Sequence, residues 1–254
     1  MSAKNLGLLT TFLAVVATSI LIGSCNSPVR PTVTPGLDAC AECNMVIDAV
    51  NQACGHVIDG EFIVFDSPGC LLRSHDEMRR LGVPVPTEIF LADYGSSEFI
   101  PAGRATLLLS DEIPTVMGAG VVVFASAAEA EGHRSTDEEI ITDWIGYRLR
   151  RGQPDTIIDA HLTTTSLEPE VVEATKGDLV LLRLSADDLT EPAILSIRGY
   201  PEIGEIVVES AAGPVELRFF ATRPGAGFPV MGAGDEPLGM IRVTGAHTAD
   251  EAAQ

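Results

Sequence analysis

The sequence predicts an α+β N-terminal domain, built as a duplicated strand-strand-helix unit, followed by an all-β sandwich. Three observations carry that expectation. The chain has 254 residues, room for two domains of about 100–150 residues each. Ile63-Val64-Phe65-Asp66-Ser67 and Val122-Val123-Phe124-Ala125-Ser126 superpose at an offset of 59 residues, each a strand running into a helix start. From Thr156 to about Gly245, short apolar runs are separated by Gly, Pro or Asp turns, an all-β pattern.

At the N-terminus, Lys4 is the only charge in the first 24 residues, and an apolar run extends from Leu6 to Ile22. That is a short charged region and a core of signal-peptide length. The run ends in Ile22-Gly23-Ser24-Cys25, small residues immediately before a thiol, as in a bacterial lipobox. The expectation is a lipoprotein signal over 1–24, an acylated Cys25 and an anchor in the membrane, with the rest of the protein outside the cytoplasm. An acylated terminus bearing more than one chain anchors stably, whereas one chain holds only marginally. Residues 25–37 carry the prolines of an extended tether.

The first domain is expected over 38–134. Gly55–Ile58 and Glu61–Phe65 flank Asp59-Gly60, a strong hairpin signal. Ser67-Pro68 opens a helix through Leu71, Leu72, His75 and Met78, stopped by Gly82 and Pro84. A second cycle follows in Thr106–Leu109, Val121–Phe124 and an alanine-rich helix from Ser126 to Glu131. Ile140, Ile141, Trp144, Ile145 and Leu149 recur at helical spacing and predict a connector helix within 135–154. The sandwich is expected over 155–246, from strands near Val171–Ala174, Leu179–Leu184, Ala193–Ile197, Glu205–Val208, Val215–Phe220 and Met240–Val243. A polar tail over 247–254 closes the chain.

Composition narrows the function. The chain is 46% hydrophobic, which excludes disorder over most of its length. Its 16 basic and 36 acidic side chains give a formal charge of −20. Such a surface repels phosphate, so nucleic acid is not an expected partner. Aromatics make up 5% with a single Trp144, too few for a stacking face. There is no catalytic triad or phosphate loop, and Asp111-Glu112, Asp137-Glu138-Glu139 and Asp187-Asp188 read as solvated turns or helix starts. The expectation is a protein that is not an enzyme.

The chemistry concentrates in sulfur. Beyond Cys25 there are Cys40, Cys43, Cys54 and Cys70, and Cys40-Ala41-Glu42-Cys43-Asn44-Met45 packs two thiols and a thioether into six residues. Soft sulfur ligands select Cu(I) over hard ions. The same residues leave other readings open: a Cys40–Cys43 disulfide, a Cys54–Cys70 disulfide, or a zinc knot of Cys40, Cys43, Cys54 and either His56 or Cys70. A thiol-disulfide oxidoreductase using the CxxC pair is a further alternative. His56 is expected in a strand facing solvent, His75 and His133 solvated at helix ends, and Asp66 capping the helix that follows it.

These motifs, with Phe65-Asp66-Ser67-Pro68-Gly69-Cys70-Leu71, Asp93-Tyr94 and Met117-Gly118 before Val122-Val123-Phe124, resemble the NosL family. Members of that family are bacterial lipoproteins acting as copper chaperones in nitrous oxide reductase maturation. The resemblance covers Cys40 to about His133 and the lipobox. One departure is that the family's Pro-Met pair reads Pro114-Thr115-Val116-Met117 here. The resemblance implies a duplicated strand-strand-helix-strand fold and a Cu(I) site shared by its halves. Cys43 and Met45 would come from the first half and Met117 from the second, with Cys40 and His56 as further ligands. A recipient copper enzyme or copper transporter would be the partner.

In the C-terminal part, Lys176-Gly177-Asp178-Leu179-Val180, Glu191-Pro192-Ala193-Ile194-Leu195-Ser196-Ile197 and Phe228-Pro229-Val230-Met231 resemble cupredoxins. That family holds copper through two His and a Cys, often with an axial Met. Here Ala193 stands where the first His would be, and no Cys follows Cys70. The expectation is a cupredoxin-like scaffold without its copper centre, leaving Met231 and Met240 as a candidate weak docking pair.

Overall fold

In the computed structural model of the chain, residues 29–187, 189–210, 213–234 and 236–245 are described. The expected signal segment, Cys25 and the 247–254 tail lie outside them. From Pro31 onward the described residues form one compact unit. Among the described residues no helix is long and apolar enough to cross a membrane.

The N-terminal part is two copies of one topology. In the first, strands β1 (Cys54–Ile58) and β2 (Glu61–Phe65) form an antiparallel hairpin. Asp59 and Gly60 make its turn, both at positive φ, which is why Gly is placed there. Helix α1 (Pro68–Arg80) follows, and the chain returns as β3 (Ile89–Ala92) on the other edge of β1. A short β4 (Phe99–Pro101) completes the order β2-β1-β3-β4.

The second copy is β5 (Thr106–Leu109), β6 (Val121–Phe124), helix α2 (Ala127–His133) and β7 (Ile140–Thr142), in the order β6-β5-β7. In both copies the first strand is central, and Ser67 and Ser126, 59 residues apart, each cap a helix through the side-chain oxygen. The periodic motif and the topology therefore agree.

The connector helix needs correction. Helix α3 spans only Trp144–Arg151, capped by Asp143, whose carboxylate accepts from the Gly146 N–H at 2.7 Å. Ile140 and Ile141 belong to β7, paired with Leu109 and Leu108. Their successive side chains enter different apolar clusters, Ile140 with Leu107 and Trp144, Ile141 with Leu108 and Phe124. That is strand alternation; its run into Trp144 and Ile145 mimics a helical period.

The C-terminal part is a sandwich of two sheets. One is β14 (Val215–Phe220), β11 (Leu179–Ser185), β8 (Thr156–Leu162) and β9 (Leu167–Glu168), in that order. The other is β10 (Val171–Thr175), β16 (Pro237–Thr244), β15 (Gly225–Met231), β12 (Ala193–Ile197) and β13 (Ile206–Val208). A separate apolar core, including Leu182, Leu195, Tyr200 and Ile241, fills the space between them. At the joint, Arg148 meets Asp155 at 2.6 Å and lies over the Phe220 ring. The Asp76 carboxylate accepts from the Gln153 N–H at 2.8 Å, so α1 is tied to the segment leading into the sandwich.

Gly55, in the middle of β1, tests this arrangement. A Cβ there would sit on the Ile63 carbonyl and inside the Phe62 ring. Gly55→Ala is expected to lower the unfolding free energy by about 1–3 kcal/mol, the usual effect of overpacking, read as a lower urea midpoint. An unchanged midpoint would place Phe62 elsewhere.

Candidate metal centre

The Cys40–Met45 loop closes on itself through Cys40 N–H to Met45 O at 2.8 Å and Asn44 N–H to Cys40 O at 2.9 Å. Asn44 takes a positive φ, which Asn tolerates better than most residues. Ala41 N–H donates to Val64 O at 2.9 Å, pinning the loop to β2. Strand β2 ends at Phe65, so Asp66 and Ser67 emerge beside this loop. Ser67 caps α1, its hydroxyl accepting from Cys70 N–H at 3.3 Å. Cys70 thus stands in the first helical turn, and helical side chains lean back toward the N-terminus, here toward Asp66.

The result is a cluster in which the sulfurs of Cys40, Cys43 and Cys70 and a carboxylate oxygen of Asp66 lie within 4.8 Å of one another. The expected capping role of Asp66 is corrected. Ser67 is the cap, and Asp66 instead accepts from Cys40 Sγ at 3.4 Å, Cys43 Sγ at 3.3 Å and Ser67 Oγ at 3.1 Å. Burial alone would raise the Asp66 carboxyl, but hydrogen bonds from Cys70, Cys43, Cys40 and Ser67 outweigh it and hold it below its usual range. Burial raises the thiols of Cys43 and Cys70, and the adjoining Asp66 adds to both. Cys54, fully buried behind them, is raised strongly, again by burial first. All four thiols are free, so neither disulfide left open by the sequence is formed.

The other candidates are distributed unevenly. Met45 is 47% exposed on the rim of the loop. Met117 is 58% exposed, at φ 58°, on a short 3-10 turn anchored by Val116 N–H to Gln52 Oε1 at 2.7 Å. With Ser67, Gly69 and Arg73 it lines a cleft of about 270 Å³, so the second copy contributes a loop at the end of α1 that carries Cys70.

His56 and His75 depart from expectation. Neither is solvated: both are buried, with His56 Nδ1 and His75 Nε2 2.9 Å apart on the inner faces of β1 and α1. Burial lowers His56, and burial, then His56, Arg79 and Arg148, hold His75 at about 3. His133 is exposed on α2 and packs against Phe124. Of the sequence-derived ligands, Cys40 and Cys43 are in the cluster and His56 is paired elsewhere. In the sandwich, Met231 and Met240 are not register partners; Met240 opposes Pro229 and Met231 opposes Pro237.

Sequence reasoning missed Asp66 as a member of the site and raised Cys70 only within the alternative zinc knot, whose Cys54 is not in the cluster. The signal was present in Asp66-Ser67-Pro68-Gly69-Cys70, since a cap at Ser67 sets Cys70 in the first turn of the helix, with Asp66 immediately before the cap.

No family model and no curated protein matches this chain. A copper-containing nitrite reductase from Thermus scotoductus is similar in structure over 35% of this chain, at 18% identity and a TM-score of 0.26. The chain covers 22% of that protein's length. What the described residues establish is a β-rich chain with a Cys/Asp cluster that could hold a metal ion.

Proposed function

We propose that this protein is a non-enzymatic Cu(I) carrier, anchored outside the cytoplasm through a lipid on Cys25, that passes its ion to a copper enzyme or copper transporter. The observation that carries the reading is the convergence of three thiol sulfurs within 4.8 Å on a partly exposed loop and one helix turn. Three thiolates form a trigonal site for Cu(I), which prefers soft donors and low coordination number. Cys43 is the half-buried member, Met45 is exposed on the same loop, and Met117 is exposed in the cleft it shares with Ser67 and Gly69. An incoming sulfur or imidazole from a recipient can then join the ion before a resident sulfur leaves. The NosL-like motifs support nitrous oxide reductase as a recipient, and the sandwich serves as a positioning or docking module.

The presence of Asp66 in the same cluster favours one second reading, a tetrahedral Cys₃Asp zinc site. The two separate on Asp66→Asn. For Cu(I), a hard carboxylate is a poor ligand, so the variant should keep its affinity within about tenfold, whereas for Zn(II) it removes a ligand and costs more. Titration of the reduced full chain with each metal against a competing chelator measures both. One tight equivalent of Cu(I), lost in Cys43→Ser, supports the carrier. Tighter Zn(II) than Cu(I) uptake, with the Zn(II) affinity alone falling by more than about tenfold in Asp66→Asn, replaces it with the zinc reading.

A further inference from the structure

Between Pro31 and Leu72 the chain has no Lys or Arg and six acidic residues, Asp38, Glu42, Asp48, Asp59, Glu61 and Asp66. The first cation after this stretch is Arg73, one turn beyond Cys70, and its guanidinium folds back onto the cluster. Arg73 Nη2 donates to Cys70 Sγ at 2.8 Å, and Nε lies 3.8 Å from Glu42 Oε1, in the residue pair between Cys40 and Cys43. One side chain therefore bridges the two segments that supply the thiols. It also lines both clefts flanking the cluster, one with Glu42, Asp76 and Gln153, the other with Met117, Ser67 and Tyr147. Arg73 is 55% exposed and Glu42 31%, so the bridge is at the surface and can open without unpacking the core.

The charge of a loaded site gives this bridge a purpose. One Cu(I), three thiolates and the Asp66 carboxylate sum to +1 − 3 − 1, a net charge of −3 on residues largely withdrawn from water. An anion of that size needs a counter-charge that does not compete as a ligand. A guanidinium fits: always protonated, donor only, and planar enough to serve a sulfur and a carboxylate together.

We propose that Arg73 is a positioning residue that clasps the loaded site. Its contact with Cys70 and its bridge to Glu42 retain the anionic complex, and their opening sets the rate at which the ion leaves. This inference rests on the reading of the cluster as a Cu(I) carrier. It assigns Arg73 a role on the rate and salt dependence of release that a ligand or a packing residue does not have.

The test uses the reduced full chain loaded with Cu(I), with release followed into bathocuproine disulfonate at concentrations where the rate no longer depends on the chelator. Arg73→Gln should release Cu(I) about tenfold faster, in the range found when partners of metal ligands are removed. Salt up to ~0.5 M should accelerate release from wild type and have little effect on the variant. Arg73→Lys should restore most of the retention by keeping the charge. Glu42→Gln should act in the same direction as Arg73→Gln, and the two together should exceed neither by much. If Arg73→Gln leaves both rate and salt dependence unchanged while Cys43→Ser still abolishes binding, the clasp is wrong and the carrier stands. If wild type takes up no Cu(I), the carrier reading falls and this inference falls with it.

Discussion

On the Cu(I)-carrier reading proposed above, Cys70→Ser is expected to lower Cu(I) affinity by about 100-fold or more, and Met45→Ala and Met117→Ala by about tenfold or less each. The asymmetry follows from position. Cys70 is fully buried, one turn into α1, with its sulfur in the same 4.8 Å cluster as Cys40, Cys43 and Asp66. Met45 and Met117 are half exposed, on loops whose backbones are tied down but whose thioethers face outward. A ligand held by a helix is ordered before the metal arrives, so its removal forfeits the whole bond. A solvent-facing thioether must be ordered on binding and returns less. The measurement is chelator competition on each variant, with far-UV circular dichroism and a urea midpoint as controls for Cys70. Cys70→Ala provides a second variant that buries no hydroxyl. Affinity indifferent to both Cys70 variants but lost in Met117→Ala would restore the thioether-centred site that the family resemblance implies.

The same contrast explains what could be read from the sequence. Local features were legible: the Asp59-Gly60 hairpin, the Ser67 and Ser126 caps, the 59-residue repeat and strands Thr106–Leu109, Val121–Phe124 and Val215–Phe220. Each is fixed by neighbours within a few residues. Cys40 and Cys43 were visible because a CxxC-x-M string is local too. Cys70 and Asp66 join them across 23 residues or more, through β2 and a helix start, and spacing alone could not show that. Strands β3 and β4 were missed because each is short and half-buried, with no alternation long enough to register. Residues Ile140 and Ile141 were misread because both faces of β7 are covered, which erases the period of two that distinguishes a strand. His75 was misplaced as well. It was expected solvated at a helix end, yet α1 runs on to Arg80, so His75 sits within the helix and faces inward with Leu71 and Leu72 against another imidazole.

That buried pair sets the second large effect, a loss of stability in mild acid. His75 is held at about 3 in the folded chain, below the ordinary value of 6.5, and His56 is lowered as well. The folded state therefore keeps both rings neutral where the unfolded chain takes up protons. Below about pH 6.5 the unfolded state binds more protons, and stability falls as the pH drops toward the folded values. Above that point the pair contributes no pH dependence.

The slope approaches about 1.4 kcal/mol per pH unit for each ring, so His75 alone removes roughly 2–3 kcal/mol between pH 7 and pH 4.5. Against a typical stability of about 5–15 kcal/mol this is a large share. Asp66, Asp93 and Glu139, each held below its usual value, have the same sign but act at lower pH. The pair cannot escape by protonating one ring in place. Arg79 and Arg148 already face His75, and its Nδ1 is buried without a partner, so an added proton there would have no acceptor. The neutral arrangement that suits this pocket is His75 Nε2–H donating to His56 Nδ1, which leaves the orphaned nitrogen as a bare lone pair. Urea unfolding of the metal-free chain between pH 7.5 and 4.5 measures the slope. His75→Gln, neutral throughout, should be less stable than wild type at pH 7 and show a visibly flatter profile below pH 6.5. An identical slope in wild type and variant would move the acid sensitivity to another part of the chain.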